Sequence, residues 1–179
     1  MEEHKPRKLD RDPLWTYALK ALAGRAYSTG EMREKLKRRA EKAADIENVI
    51  SRLKDYKYLD DRRFAEGFAT ARLSNDRFGR TRVIQDLRHR RVAPSLAETV
   101  VGNVYRETDE QTLIDEWIRR KYRSAGRESL FAEEKEMAAA YRRLLRAGFR
   151  TGEIIRALKK FAKNPDLLDT FEPPQEEEI

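Results

Sequence analysis

The chain has 179 residues, of which 40% are charged and 39% belong to the hydrophobic set, with 8 Gly, 6 Pro and no Cys. That apolar content excludes a disordered chain, the scarcity of turn residues excludes an all-β protein, and the absence of cysteine excludes disulfides, thiolate catalysis and cysteine-held zinc or iron–sulfur groups. The net charge is +7, and because residues 164–179 hold six acids and no base the remainder is more basic still, which points to an anionic partner, nucleic acid or an acidic protein surface, or to a solubilising coat of charge.

The first residues, MEEHKPRKLDRDP, are too charged for a secretory leader. No stretch of about 18 apolar residues exists, so no membrane span is expected and a cytoplasmic protein is the default. Residues 1–11 read as a flexible arm. Asp12-Pro13 then opens a helix, as a cap followed by proline at the first helical position. Ser28 with Glu31, Ser95 with Glu98 and Thr108 with Gln111 fit the reciprocal capping pattern, and Asp45 and Thr151 are further predicted caps. Ile46, Val49, Ile50 and Leu53 recur at helical spacing. Asn164-Pro165 closes the last helix, because a residue before proline disfavours the helical conformation.

A repeat runs through these segments. Leu36 stands 14 residues before Ile50, with Leu53 three later; Leu87, Val101 and Val104 repeat the spacing, as do Leu144, Leu158 and Phe161. The residue before each middle position is apolar (Val49, Val100, Ala157), and each set is preceded by another helical stretch, at 14–26, 62–74 and 110–123. The predicted fold class is all-α: an elongated array of three tandem three-helix repeats at residues 12–59, 60–107 and 108–163, followed by an acidic tail at 164–179. A longer loop, Ser124–Glu134, is expected in the third repeat. One such unit buries little apolar surface alone, and stacking makes the core continuous.

Asp60 and Asp61 raise the question of chemistry. Neighbours on a helix point about 100° apart and do not converge on one metal or reacting atom. Capping the helix that follows accounts for them better. His4 and His89 are isolated, and no phosphate-loop, dinucleotide, zinc-hydrolase or serine-nucleophile motif occurs. No catalytic residue, cofactor or metal is therefore predicted. The densest basic stretch, 72–91, holds Arg72, Arg77, Arg80, Arg82, Arg88, Arg90 and Arg91, against two acids. Arg88, Arg90 and Arg91 close a helix, where cations suit the dipole. Arg77, Arg80 and Arg82 precede it, where they do not, and so are the stronger candidates for partner contact. Similar clusters at 35–39, 119–123, 142–150 and 159–163 suggest a basic stripe. Phe64, Phe68, Trp15, Trp117 and Phe161 read as core, whereas Tyr56 and Tyr58 flank a helix end, where stacking on bases is conceivable.

These residues resemble the RecX family of recombinase regulators over about residues 14–162. The likeness is carried by ALKALAGRAYSTGEMREKLKRR (18–39), YLDDRRFAEGFATAR (58–72), FGRTRVIQDLRHRRV (78–92) and LLRAGFRTGEIIRAL (144–158). Within them Leu59, Asp60, Asp61 and Phe64 form the strongest motif. The resemblance implies tandem three-helix repeats and a regulator that binds the RecA filament on single-stranded DNA, inhibits strand exchange and coprotease activity, and has no catalytic residues. It also implies DNA contact in some members; here a monomer is expected. The alternative is a sequence-tolerant DNA-binding protein whose helix pairs act as helix-turn-helix readers. The family's glycine near the end of each middle helix is kept at Gly148 but replaced by Ala40 and Arg91. A left-handed Arg91 would cost about 1 kcal/mol, so that helix is predicted to end differently.

Overall fold

A computed structural model describes residues 8–122, 131 and 134–163. Most of the expected N-terminal arm, nearly all of the loop Ser124–Glu134, the Asn164-Pro165 stop and the acidic tail lie outside the described residues. Among the described residues the chain forms nine α-helices and one π-helical turn: α1 (Arg11–Gly24), α2 (Thr29–Lys37), α3 (Ala43–Asp55), α4 (Asp61–Ala71), the π turn (Arg72–Asp76), α5 (Arg80–His89), α6 (Pro94–Val104), α7 (Glu110–Lys121), α8 (Glu134–Arg146) and α9 (Thr151–Phe161). Extended pairing among these residues is confined to single bridges, Leu9 with Ala40 and Phe131 with Ala162. The architecture is all-α, with the helices following one another as three successive triplets. Among the described residues no helix is long and apolar enough to cross a membrane.

The chain divides into two compact units, Met1–Phe68 with Asp86–Val100, and Ala69–Gln85 with Val101–Ile179. In the first, one cluster joins Leu14 and Ala18 of α1, Met32 and Leu36 of α2, Ile46, Val49, Ile50 and Leu53 of α3, and Leu59. The stripe on α3 is the cause: its four apolar positions all fall on one face and all are buried. In the second unit Leu113, Ile114, Trp117 and Ile118 of α7, Met137, Ala140, Tyr141 and Leu144 of α8, and Ile154, Ala157 and Leu158 of α9 are buried. The leucines that anchor the repeat, Leu36, Leu87 and Leu144, are each fully buried.

Several helix starts differ from expectation. Leu9 donates its N–H to the Arg39 carbonyl (2.7 Å) and accepts from Glu41 (3.0 Å), and α1 begins at Arg11 behind Asp10, where the sequence suggested an arm. Ser28 forms the full reciprocal cap with Glu31. Ser95 does not: it lies inside α6, whose first residue is Pro94 and whose first turn closes from Ala97 N–H to the Ala93 carbonyl. Proline at the first helical position fixes the start and displaces the serine inward. Asp109, rather than Thr108, caps α7 by accepting from Thr112 N–H at 2.8 Å. Lys42 and Arg150 stand where Asp45 and Thr151 were expected, and Asp45 sits in the first turn of α3, where it still meets the positive end of the dipole.

Helix ends carry the repeat further. Beyond α8, Gly148 is left-handed (φ 90°) and Phe149 N–H reaches back to the Leu144 carbonyl. Beyond α5, Arg91 is also left-handed (φ 59°) and Val92 N–H reaches back to the Leu87 carbonyl. The expectation that Arg91 avoids this conformation is thus corrected. Its backbone is packed against α2: a Cβ on Gly30 would lie 2.5 Å from Arg91 Cβ and 2.6 Å from its carbonyl oxygen. After α2 itself, Ala40 pairs with Leu9 instead.

Candidate interaction surfaces

Asp60 and Asp61 serve two different helices. Asp60 Oδ1 accepts from Arg63 N–H at 3.0 Å and caps α4, and these backbone donors hold its carboxyl below the usual carboxylate range. Asp61 Oδ1 accepts from Thr29 N–H at 2.6 Å, so it satisfies the first turn of α2. The two carboxylates do not converge on a common point of chemistry. Leu59, just before them, is 3% exposed and anchors the turn in the core of the first unit. Phe64, expected in the core, is half-buried, as is Phe68; the fully buried positions of α4 are Ala65 and Ala69. Trp117 is buried, whereas Trp15 and Phe161 are half-buried. Among the described residues no group of three or more His, Asp or Glu is gathered to hold a metal.

The basic stretch 72–91 is shared between the two units. In the second unit Arg72 pairs with Asp76 (2.8 Å) and Arg77 with Glu116 (2.6 Å). Arg77 also adopts a left-handed backbone after the π turn and donates to the carbonyls of Leu73 and Ser74. Arg80 donates to the Tyr105 carbonyl at 2.5 Å. Arg82 lies over the Phe78 ring. Tyr105 is buried, donates its hydroxyl to the Phe78 carbonyl, and has its phenol pushed up by burial. Arg77 and Arg80, which a helix dipole does not explain, thus have local partners. The sequence could not reveal Glu116 for Arg77 or the Tyr105 carbonyl for Arg80, because they lie 39 and 25 residues away.

In the first unit Arg88 pairs with Glu98 (2.6 Å), Arg90 with Glu31 (3.1 Å) and Arg91 with Glu34 (3.9 Å). The side chains of Arg88 and Arg91 remain 47% and 57% exposed, so their ion pairs are weak and can exchange for an incoming anion. Both line an open groove of about 760 Å³ with Arg33, Lys54, Thr29 and Asp61. Thr29 is 4% exposed and its hydroxyl has no hydrogen-bond partner. Arg33 is held by Glu47 through two bonds, and that contact keeps the Glu47 carboxyl low. The sequence missed Arg33 and Lys54 as companions of Arg88 and Arg91, since nothing in their spacing links α2 and α3 to the end of α5.

Residues 15–53 match the family model for the first three-helix domain of RecX, and residues 60–101 the model for the second. The chain is 32% identical over 141 residues to the regulatory protein RecX of Trichlorobacter lovleyi, covering 79% of this chain and 90% of that protein. It is 32% identical over 176 residues to the regulatory protein RecX of Deinococcus radiodurans, covering 97% of this chain and 78% of that one. Its fold matches the crystal structure of RecX from Lactobacillus salivarius with a TM-score of 0.65 at 16% identity, over 90% of this chain and 97% of that one.

Proposed function

This chain belongs to the RecX family, and from that premise we propose that it binds the RecA filament on single-stranded DNA in the cytoplasm and restrains its recombinase and coprotease activity, without catalysing a reaction itself. The observation that carries the reading is family membership across most of the chain, at a level shared with proteins named as regulators. Exposed and exchangeable arginines give it a physical means. Arg88 and Arg91 beside Arg33 and Lys54 offer guanidinium and ammonium groups to carboxylates or phosphates of a polyanionic assembly. Arg72, Arg77, Arg80, Arg82 and Arg90 complete the contact set proposed from the sequence. Several weak contacts on one filament add by multivalency.

The test is RecA-catalysed ATP hydrolysis on single-stranded DNA with this protein titrated in. Inhibition at substoichiometric protein is expected, and the double reversal Arg88→Glu with Arg91→Glu should raise the concentration needed several-fold. No effect of the unaltered protein on hydrolysis or on filament length would overturn the reading. Tight binding to bare duplex with a steep salt dependence, and none to the filament, would favour a general DNA-binding protein instead.

A further inference from the structure

The first unit carries an aromatic surface that the proposed function leaves unused. Tyr56 and Tyr58 are 59% and 52% exposed, the most exposed large hydrophobic side chains among the described residues. They follow α3 on either side of Lys57, whose left-handed backbone (φ 58°) folds the chain so that the two rings stack, 6.0 Å apart at 24°. Trp15 of α1 backs both, with centroids 5.9 Å and 6.5 Å away. The Arg52 guanidinium lies 4.2 Å over the Trp15 ring and 5.8 Å from that of Tyr56.

The surface continues. Tyr58 also lines a groove of about 290 Å³ with Tyr27, Phe64, Phe68 and Arg63, in which Phe64 and Phe68 stack at 6.2 Å. Arg25 covers Tyr27 at 3.7 Å, and Arg90 stands over Phe68 at 5.7 Å. One acid, Asp60, also lines the groove, and it is committed to the backbone of α4.

We propose that this aromatic run, from Trp15, Tyr56 and Tyr58 into the Phe64–Phe68 groove, is a stacking platform for the unpaired bases of a single-stranded nucleic acid. The argument is one of composition and charge. A protein core keeps aromatic rings from water; here Tyr56 and Tyr58 are left exposed and stacked on one another, continued by half-buried rings and interleaved with cations. Apolar protein partners match ring surface equally well, but they do not call for arginines at its edge. A single strand supplies both components: flat π-faces for the rings and phosphates for Arg52, Arg63 and, by exchange of its exposed ion pair with Glu31, Arg25. A duplex hides its base faces and gains nothing from the rings. The inference needs no recombinase, so it stands or falls apart from the function proposed above.

The experiment measures binding of a labelled 20-nucleotide oligo(dT) and of a duplex of equal length by fluorescence anisotropy, without RecA, and follows Trp15 emission in a Trp117→Phe background. Oligo(dT) should bind more tightly than duplex and quench Trp15. Tyr56→Ala and Tyr58→Ala should each weaken it about fivefold or more. Tyr56→Phe and Tyr58→Phe should retain binding, because the ring face and not the hydroxyl is used. Tyr56→Leu and Tyr58→Leu should behave as the alanine variants do. Both residues are surface-exposed, and helical circular dichroism confirms that each variant is folded. Failure of the unaltered protein to bind oligo(dT), a preference for duplex, or unchanged affinity in the alanine variants would overturn the proposal. So would leucine variants that bind as the unaltered protein does. Alanine variants that bind oligo(dT) normally but lose their effect on RecA would identify a protein-docking patch instead.

Discussion

The carboxylate of Asp61 accepts the backbone N–H of Thr29 at 2.6 Å, so the first residue of α4 caps a helix that begins 32 positions earlier. Thr29 is buried, at the wall of the open groove, and its amide uses this acceptor. Removing it leaves a buried donor unpaired, a cost of about 1–3 kcal/mol. Asp61→Ala should therefore lower the urea midpoint clearly, while Asp61→Asn, which keeps an acceptor oxygen, should recover most of the loss.

Asp60 acts on its own helix. Asp60→Ala should cost about 0.5–2 kcal/mol as an ordinary capping loss. Its folded pKa lies below the unfolded value, chiefly because Arg63 N–H bonds the charged form. The stability it contributes is thus present above about pH 4, the ordinary aspartate value, and is lost as pH falls through the lower folded value. Urea midpoints between pH 6 and pH 2 should fall less steeply in Asp60→Asn than in the unaltered protein; parallel curves would contradict this.

Arg91 holds a left-handed backbone that favours glycine. Arg91→Gly removes that strain and sacrifices one long, exposed ion pair with Glu34. The variant should be as stable as the unaltered protein or more stable by up to about 1 kcal/mol. Gly30→Ala should do the reverse, because its methyl group would collide with Arg91. Thermal melts of the two variants, moving in opposite directions, are the check.

Leu36, Leu87 and Leu144 are fully buried at equivalent places in the repeat. Each Leu→Ala change should cost about 2–5 kcal/mol. Any one that proves neutral in denaturant titration would break the equivalence.

The helical triplets were legible because burial imposes a period on apolar residues, and α3 and α8 display it plainly. Helix starts were less so. The pattern of Ser95 and Glu98 fits a cap, yet the same residues fit a first turn once Pro94 has fixed the start, and Glu98 turns to Arg88. Phe64 and Phe68 show why hydrophobicity alone misplaces a ring: α4 packs through Ala65 and Ala69, and small residues bring the backbone close while the larger ones are turned aside. The site was partly legible. Composition marked the arginines, and their acidic partners, tens of residues away for Arg77 and Arg90, left no local trace.

Ser28 has a further consequence. Its buried hydroxyl accepts from Glu31 N–H and donates to the Arg90 carbonyl, while the neighbouring Thr29 amide waits for Asp61. During synthesis on the ribosome the first triplet emerges with neither distant acceptor available. Its second helix is completed only after some 60 further residues have left the exit tunnel. A fragment cut after residue 59 keeps the first triplet and its hydrophobic cluster but lacks both acceptors, so it should be less stable than the same segment in the whole chain.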